Sequence, residues 1–218
     1  MPKIISIEGN IGAGKTTILS KLQEHYADGD IVFLREPVDV WEKISDAAGE
    51  NILQKFYRDP AKYAYPFQVV AFITRYSAIA DAVRKYPNCR LIVCERSLDA
   101  DYNIFAKMLA DDGIIEDICF KIYTKIYQEF SDMFPVQGIV YVDADAEVCA
   151  ERISRRARDG ESEIALDYLA KCKKYHDEWL LSENLGKSLL HLKTNEEATY
   201  EGEDCGNQWI RKIREFIE

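Results

Sequence analysis

The sequence predicts an α/β protein built on a five-stranded parallel sheet flanked by helices. Two features of its 218 residues indicate this class. Short runs rich in Ile, Val and Leu alternate with longer segments of helical periodicity, which is typical of parallel strands joined by helices. The short runs are apolar nearly throughout, as expected for strands covered by helices on both faces. No linker, repeat or low-complexity segment divides the chain, so we expect one domain over residues 1–218.

The individual elements follow from the same patterns. Strands are predicted at residues 3–8, 31–35, 90–94, 138–143 and 188–193. Helices are predicted at residues 15–27, 42–57, 61–85, 100–111, 114–133, 145–158, 163–183 and 205–217. Asp59 is placed to cap the third helix ahead of Pro60, which suits a helix start. Pro66 lies inside the same helical pattern and predicts either a kink or a later helix start.

Composition argues against several classes of function. The net charge of −10 disfavours nonspecific nucleic-acid binding, because the chain lacks a positive field that could replace counterions. No apolar run reaches the length of a membrane span. The first strand begins within three residues of the N-terminus, so we expect no signal or transit peptide. The six cysteines are scattered without a C-x-x-C pair, which favours reduced thiols. We therefore expect a cytoplasmic protein with neither a nucleic-acid nor a membrane partner.

Residues Gly9–Thr16 match the phosphate-binding pattern G-x-x-x-x-G-K-[ST]. The glycines allow the backbone to curl so that several N–H groups point at one anion. Lys15 would place its charge on the β- and γ-phosphates, and the Thr16 hydroxyl would hold Mg²⁺. A buried strand before the motif and an amphipathic helix after it make an ordinary Gly-rich turn a poor alternative. The predicted nucleotide-binding residues are Gly9, Asn10, Gly12, Ala13, Gly14, Lys15, Thr16 and Thr17.

Three polar clusters follow predicted strands at their carboxyl ends. They are Glu8-Gly9, Arg35-Glu36-Pro37 and Glu95-Arg96-Ser97. A single such cluster is usually a solvated loop. Because parallel strands end at the same edge of a sheet, we expect these carboxylates and arginines to converge beside the phosphate loop.

Taken in chain order, these motifs resemble the deoxynucleoside kinase family. The resemblance rests on Gly9–Thr17, Glu36-Pro37-Val38-x-x-Trp41, Tyr57-x-Asp59-Pro60, Pro66-Phe67-Gln68, Glu95-Arg96-Ser97 and an Arg-rich stretch at 152–158. It covers roughly residues 3–185, while the final 30 residues match poorly. It is similar to the branch of deoxycytidine and deoxyguanosine kinases. It implies a single P-loop kinase domain with an Arg-rich lid at about residues 152–162. It also implies ATP-dependent phosphorylation of the 5′-hydroxyl of deoxynucleosides, in nucleotide salvage, by a homodimer.

The resemblance further implies catalytic and metal-binding roles. Glu36 resembles the general base that takes the proton of the 5′-hydroxyl, and Arg96 would keep its carboxylate ionised. A purely structural ion pair between these two residues is the alternative. Glu95 would reach Mg²⁺ through water, beside Thr16. The catalytic residues implied are Lys15, Glu36, Arg96, Arg156 and Arg158, and the metal-binding residues are Thr16 and Glu95.

The resemblance implies that one face of the third predicted helix recognises the base, with a merely solvated face as the alternative. Gln68, Ala71 and Arg75 are spaced i, i+3 and i+7, which places them on the same helix face. The Gln68 amide offers both a donor and an acceptor to a base edge. Arg75 is expected to pair with Asp101 over the far edge of the base. Such a pair would crowd the methyl group of thymine, so we expect deoxycytidine and purine deoxynucleosides to be favoured over thymidine.

The resemblance also implies the walls of the substrate pocket. Trp41, Phe67 and Phe105 would be flat apolar walls around the base, although an aromatic residue is more often part of a core. Tyr57 and Glu161 resemble the pair that holds the 3′-hydroxyl of the sugar. All five residues are therefore predicted to bind the substrate.

Arg152, Arg155, Arg156 and Arg158 form a basic run in an acidic protein. A run of this kind is normally a solvated helix face. In the resemblance, Arg152, Arg156 and Arg158 are lid residues that stabilise charge on the transferring phosphoryl group, and Arg152 and Arg156 bind the nucleotide. Arg155 is additional to that pattern. The segment 194–206 is expected to lie over the donor adenine.

Two other functions stay open. A nucleoside monophosphate kinase shares the loop and the lid, but it needs basic residues for the acceptor phosphate where this chain has Glu36. A non-catalytic nucleotide-binding subunit would be expected to have lost motif residues. The residues Lys15, Thr16, Glu36, Glu95 and Arg96 are all present.

Overall fold

The structure, a computed structural model, describes residues 1–26, 30–157, 161 and 164–218. Its centre is a sheet of five strands in the order β2-β3-β1-β4-β5, with every neighbouring pair parallel. The strands are β1 (Lys3–Glu8), β2 (Ile31–Leu34), β3 (Leu91–Glu95), β4 (Gly138–Asp143) and β5 (Ser188–Lys193). The predicted parallel sheet is therefore confirmed, and each strand lies within one residue of its predicted position.

Helices cover both faces of this sheet. They are α1 (Lys15–Gln23), α2 (Val38–Lys43), α3 (Ile52–Arg58), α4 (Pro60–Lys85), α5 (Leu98–Ala100), α6 (Lys107–Asp111), α7 (Asp117–Phe130), α8 (Ala146–Arg156), α9 (Leu166–Leu180) and α10 (Cys205–Ile217). A π-helical segment, Asp101–Ala106, joins α5 to α6, and a 3₁₀ turn, Ser131–Met133, follows α7. Among the described helices, none combines the length and the apolarity needed to cross a bilayer.

Successive residues of β1 pack into opposite apolar layers, as expected for a strand covered on both faces. Ile5 belongs to the layer that contains Leu19 of α1, whereas Ile4 belongs to the layer that contains Ile79 of α4. A third apolar cluster joins α2, α3 and α4. This third cluster forms one wall of the site described below.

The predicted helix at 42–57 is wrong in its middle, because α2 ends at Lys43 and α3 begins only at Ile52. Ser45 and Asn51 form an isolated antiparallel bridge between the two helices. Asn51 then starts α3 as its N-cap. Its side chain accepts from the Gln54 amide and its own amide donates to the Gln54 side chain, both at 2.9 Å. This reciprocal capping box favours a new helix start over a continuous helix.

Of the two outcomes expected at Pro66, the later helix start is wrong. Helix α4 runs unbroken from Pro60 to Lys85 with Pro66 inside it. Asp59 accepts a hydrogen bond from the Lys62 amide, which confirms the predicted cap. The other predicted helices are present, with ends that differ by up to four residues.

Three isoleucines on α4 and α7 are exposed. They are Ile73, Ile118 and Ile122. The homodimer implied by the resemblance stays a prediction.

Candidate active site

The carboxyl ends of β1, β2 and β3 open into one cavity of about 870 Å³. The predicted site residues that line it are Gly12, Ala13, Gly14, Lys15, Thr16, Thr17, Glu36, Trp41, Tyr57, Phe67, Gln68, Ala71, Arg75, Glu95, Arg96, Asp101, Phe105, Arg152, Arg156 and Glu161. Of the others, Gly9 and Asn10 belong to the phosphate loop without lining the cavity, and Arg158 lies outside the described residues. Direct contacts nevertheless join the three polar clusters predicted at this edge, because Arg96 contacts both Gly9 and Glu36.

Close packing explains two glycines of the phosphate loop. At Gly9, where φ is +150°, a Cβ atom would lie 2.3 Å from the carbonyl oxygen of Val142. At Gly12, where φ is +81°, it would lie 2.6 Å from the carbonyl oxygen of Cys149. Both contacts are with backbone, which cannot move aside as a flexible side chain can. The loop therefore lies tightly against β4 and α8 in a curled shape that suits an anion.

Lys15 and Asn10 link the loop internally and to the rest of the fold. The Lys15 ammonium donates to the Asn10 carbonyl at 2.8 Å, and the Asn10 side chain donates to the Leu169 carbonyl of α9 at 2.8 Å. Burial, together with the charge of Arg96, lowers the pKa of Lys15 to about 8. A buried ammonium group that is costly to keep charged is stabilised by an added anion. This property fits the phosphates of a nucleotide.

Thr16 and Glu95 form a pair of oxygen ligands at the start of α1. The Thr16 hydroxyl donates to Oε1 of Glu95 at 2.8 Å. One hydroxyl and one carboxylate beside a phosphate loop match the way Mg²⁺ binds, with few protein ligands and several waters. The residues present therefore fit the predicted metal.

Glu36 lies between two buried arginines. Its Oε1 is 3.0 Å from Nε of Arg96 and 3.1 Å from Nη2 of Arg75. Burial alone would raise the pKa of Glu36, but the charges of Arg96, Arg75 and Lys15 outweigh it and hold the pKa at about 2. The carboxylate is therefore ionised at neutral pH, as was expected of a residue that accepts from a hydroxyl group.

Arg96 reaches Glu36 from an unusual backbone conformation. Its φ of 65° is uncommon for a residue with a side chain. Its Nη1 donates to the Gly9 carbonyl at 2.9 Å, and its guanidinium lies 4.6 Å from the centre of the Phe105 ring. Arg96 thus contacts the phosphate loop, the predicted general base Glu36 and the ring of Phe105.

The predicted Arg75–Asp101 pair is present, with a further contact that sequence reasoning missed. Arg75 donates to Asp101 through Nε at 2.8 Å and through Nη2 at 3.2 Å. It also donates to the Glu95 carbonyl at 2.9 Å and to Glu36. Arg75 therefore links α4 to Glu36 as well as balancing Asp101.

Gln68 is the residue best suited to bind a base. It is 2% exposed, and its Oε1 has no hydrogen-bond partner among the described residues. A buried amide oxygen without a partner is costly, so a ligand that donates to it would be stabilised. The Trp41 ring meets the Phe67 ring edge-on at 5.2 Å, and the Trp41 indole N–H is already bonded to Thr74. These two rings can therefore contact a base through their apolar surfaces.

Arginines of α8 and Glu161 also line the cavity. Arg156 pairs with Glu161, which is 4% exposed and lines the cavity together with Tyr57. Arg152 donates to the carbonyls of Thr194 and Glu196 at 2.8 and 2.9 Å. These contacts join α8 to the segment after β5. An Arg-rich lid that closes over a nucleotide stays a prediction.

A family model for deoxynucleoside kinases matches residues 5–218. The chain belongs to the deoxynucleoside kinase family. It is 38% identical to the probable deoxycytidine kinase of Fowlpox virus (strain NVSL), over 84% of this chain and 73% of that protein. It is 30% identical to the deoxycytidine kinase of Homo sapiens, over 99% of this chain and 91% of that protein. It is 29% identical to the mitochondrial deoxyguanosine kinase of Xenopus laevis, over 99% of this chain and 89% of that protein.

This deoxynucleoside kinase is therefore an enzyme that takes phosphate from a nucleotide donor. The family match and the two relatives covered over 99% of this chain include the final 30 residues, which the resemblance over residues 3–185 had left out.

Sequence reasoning missed several residues that line the cavity of this kinase. Phe56 stacks on Phe67 at 4.9 Å, and Tyr168 meets Tyr57 edge-on at 6.5 Å. The position of Phe56 beside Tyr57 was an available signal, whereas Tyr168 lies on α9, far along the chain. The cavity is also lined by Glu196, Glu197, Ala198, Tyr200 and Trp209. The segment 194–206 therefore borders the cavity, and its contact with adenine stays a prediction.

Proposed function

We propose that this deoxynucleoside kinase transfers the γ-phosphoryl group of ATP, with Mg²⁺, to the 5′-hydroxyl of a deoxynucleoside. The observation that carries the proposal is the position of Glu36. An ionised carboxylate held by Arg75 and Arg96 faces the same cavity as Lys15 and Thr16. This arrangement provides an acceptor for a hydroxyl proton beside a site for the phosphates of the donor.

A pKa of about 2 makes Glu36 a weak base. That weakness is compatible with phosphoryl transfer, because its loose transition state needs little deprotonation of the nucleophile. Glu36 would first orient the hydroxyl by accepting its hydrogen bond and would take its proton late. The two arginines fix the direction of the carboxylate and keep it ionised.

The donor would be held by the phosphate loop. Lys15 would exchange its contact with the Asn10 carbonyl for a contact with phosphate oxygens, and Thr16 and Glu95 would hold Mg²⁺. The metal, when bound, neutralises charge on the phosphates. Arg152, Arg156 and Arg158 would add positive charge from α8 and the residues after it.

The acceptor would be held in the pocket around Gln68. Its unpartnered amide would bond the base edge, and the side chains of Trp41, Phe67 and Phe105 would form the apolar walls. Tyr57 and Glu161 would take the 3′-hydroxyl. The Arg75–Asp101 pair would favour cytosine and the purines over thymine, whose methyl group it would crowd.

A nucleoside monophosphate kinase is the competing enzyme. Its acceptor carries a phosphate where the proposed acceptor has a 5′-hydroxyl. The Glu36 carboxylate would repel that phosphate.

The test is a coupled assay of ADP formation, with the four deoxynucleosides and their monophosphates as alternative acceptors. We expect turnover with deoxycytidine and the purine deoxynucleosides, little with thymidine and none with the monophosphates. Glu36→Gln should lower kcat at least about 10²-fold while deoxynucleoside affinity changes little. Asp39→Asn is the matched control, because Asp39 is another carboxylate that lines the cavity. Full turnover by Glu36→Gln would show that Glu36 does not accept the proton of the hydroxyl. A preference for monophosphates would show that the acceptor is a nucleoside monophosphate and not a deoxynucleoside.

A further inference from the structure

Glu8 is a fully buried carboxyl group that the proposed mechanism does not use. It ends β1 directly before the phosphate loop and is 0% exposed. Its Oε1 accepts a hydrogen bond from the Ser97 hydroxyl at 2.6 Å. Its Oε2 has no hydrogen-bond partner among the described residues. Burying a carboxyl group costs stability, and the hydrogen bond from Ser97 offsets part of that cost.

That contact holds Ser97 in place. The Ser97 oxygen donates its proton to Glu8 and accepts from the Ala100 amide at 3.1 Å. Ser97 thereby caps the helix that continues into the π segment with Asp101. With both functions of its hydroxyl in use, Ser97 has one side-chain orientation and one backbone position.

Arg96 is held from both sides in its left-handed conformation. On one side its amide donates to the Ile7 carbonyl at 3.0 Å. On the other side the next residue, Ser97, is bonded to Glu8. Such a backbone conformation persists only where the surroundings impose it. From this backbone the Arg96 side chain reaches both Glu36 and the Gly9 carbonyl.

We propose that Glu8 is a positioning residue, which acts through Ser97 to hold Arg96 against Glu36. The inference rests on the proposed function, in which Glu36 accepts the proton of the acceptor hydroxyl. Without the Glu8–Ser97 contact, the backbone of Arg96 relaxes and its guanidinium moves away from Glu36. Glu36 then keeps Arg75 but loses its second cation.

The acceptor oxygen of Glu8 matters more than its charge. Burial raises the pKa of Glu8, opposed by its hydrogen bond from Ser97 and by the charge of Arg96. A glutamine keeps an oxygen at the same place and can accept from Ser97 without any charge. Glu8→Gln should therefore keep the position of Arg96, and Glu8→Ala should lose it.

Activity is measured for Glu8→Ala and Glu8→Gln, and for the corresponding variants Ser97→Ala and Ser97→Thr. Glu8→Ala and Ser97→Ala should each lower kcat about 10²-fold, the scale expected when a catalytic group is displaced by about 1 Å. The KM for the donor should change little. Glu8→Gln and Ser97→Thr keep the hydrogen bond and should remain close to the wild type. The double alanine variant should be no worse than either single one, because both remove the same contact.

A second readout follows Glu36 directly and does not depend on activity. The pKa of its carboxyl group is measured by ¹³C NMR titration, with Glu36→Gln identifying the signal. The titratable groups that interact with Glu36 include Lys15 of α1, Tyr57 of α3, Arg75 of α4, Asp101 of the π-helical segment, and Glu95 and Arg96 at the end of β3. Losing the Arg96 contact should raise the pKa of Glu36 from about 2 by roughly one unit or more. In a plot of kcat against pH, the fall of kcat on the acid side should shift to higher pH by the same amount.

The outcomes separate the two proposals. Full kcat and an unmoved Glu36 pKa in Glu8→Ala would overturn the positioning role, as would a Glu8→Gln variant as poor as Glu8→Ala. If Glu8→Ala does not fold, Ser97→Ala against Ser97→Thr decides the question by the same two readouts. A raised Glu36 pKa combined with full activity would support the contact while rejecting Glu36 as the proton acceptor.

Discussion

Replacing Arg75 and Asp101 together tests whether their buried pair selects the base. The two residues are 3% and 2% exposed and share two hydrogen bonds. Arg75→Met with Asp101→Ala removes both charges and opens space for the methyl group of thymine. We expect kcat/KM for thymidine to rise relative to deoxycytidine in the double variant. Neither single variant should gain as much, because each leaves one member of the pair without its partner.

The cost to stability follows from the contacts that remain. In Arg75→Met, Asp101 stays buried without its bonded cation, which should lower the free energy of unfolding by about 3–5 kcal/mol. In Asp101→Ala, Arg75 keeps Glu36 and the Glu95 carbonyl, so we expect a smaller loss. The double variant has no unpaired charge and leaves mainly the Glu95 carbonyl without its donor, which costs about 1–3 kcal/mol. Of the two single variants and the double variant, Arg75→Met should have the lowest free energy of unfolding.

The pH dependence of Arg75→Met has a definite sign. Burial raises the pKa of Asp101, and Arg75 opposes that rise. Without Arg75 the pKa of the folded state rises further, so the folded variant binds a proton more tightly than the unfolded one. Its stability should therefore increase as the pH falls through that pKa.

The assay combines urea denaturation of the wild type, both singles and the double with kinetics on deoxycytidine and thymidine. A coupling energy below about 0.5 kcal/mol in the double-mutant cycle would contradict the argument from the ion pair. A double variant that gains nothing for thymidine would reject the role of the pair in base selection. Because Arg75 also contacts Glu36, some loss of kcat with every substrate is expected and does not count against the prediction.

Two further predictions concern the lid and a buried histidine. Arg158→Ala should lower kcat more than it raises KM for the deoxynucleoside, because the charge it meets is largest in the transition state. Arg156→Ala should lower kcat and also raise the KM for the deoxynucleoside, since it removes the ion pair with Glu161. Unchanged kinetics in both variants would show that the arginine run is only a solvated helix face. His176 is buried, and burial together with the charge of Arg96 lowers its pKa to about 3, so the unfolded chain binds a proton below about pH 6.5 that the folded chain cannot. The free energy of unfolding should thus fall as the pH drops from about 6.5, by up to about 1.4 kcal/mol per pH unit. Urea denaturation at several pH values should show a smaller slope for His176→Leu. An equal slope in the variant would show that His176 is not the cause.

Local sequence signals accounted for the sheet and for much of the site. Apolar runs located all five strands. β1, β3 and β4 are buried almost throughout, and a strand buried on both faces has few alternatives to β-branched and aliphatic residues. The edge strand β5 is mostly exposed or half-buried, so its apolar residues were a weaker signal. The polar clusters at the carboxyl ends then placed Glu36, Glu95 and Arg96 at one edge without any knowledge of packing. The cap at Asp59 was likewise a property of neighbouring residues.

What was missed depends either on packing or on a signal that was overlooked. The break between α2 and α3 was readable in the sequence, since Asn51 and Gln54 have the spacing of a capping box. The contact of Arg75 with Glu36 joins residues 39 apart and that of Glu8 with Ser97 joins residues 89 apart. Such pairings are decided by how α4 and the strands pack. No periodicity or motif in a single sequence encodes those distances.

The π-helical segment Asp101–Ala106 changes what the helix can tolerate. It accommodates one more residue than an α-helical turn would, at the point where Asp101 meets Arg75 and Phe105 meets Arg96. Deleting a single residue there would restore α-helical geometry and leave α6 facing as before, because the wider turn had absorbed that residue. The same deletion in a regular α-helix such as α4 would turn everything that follows by about 100° around the helix axis. A loss of one residue should thus be better tolerated in this stretch than in α4. The wide turn is therefore a place where the pocket can change in length while the helices beside it stay where they are.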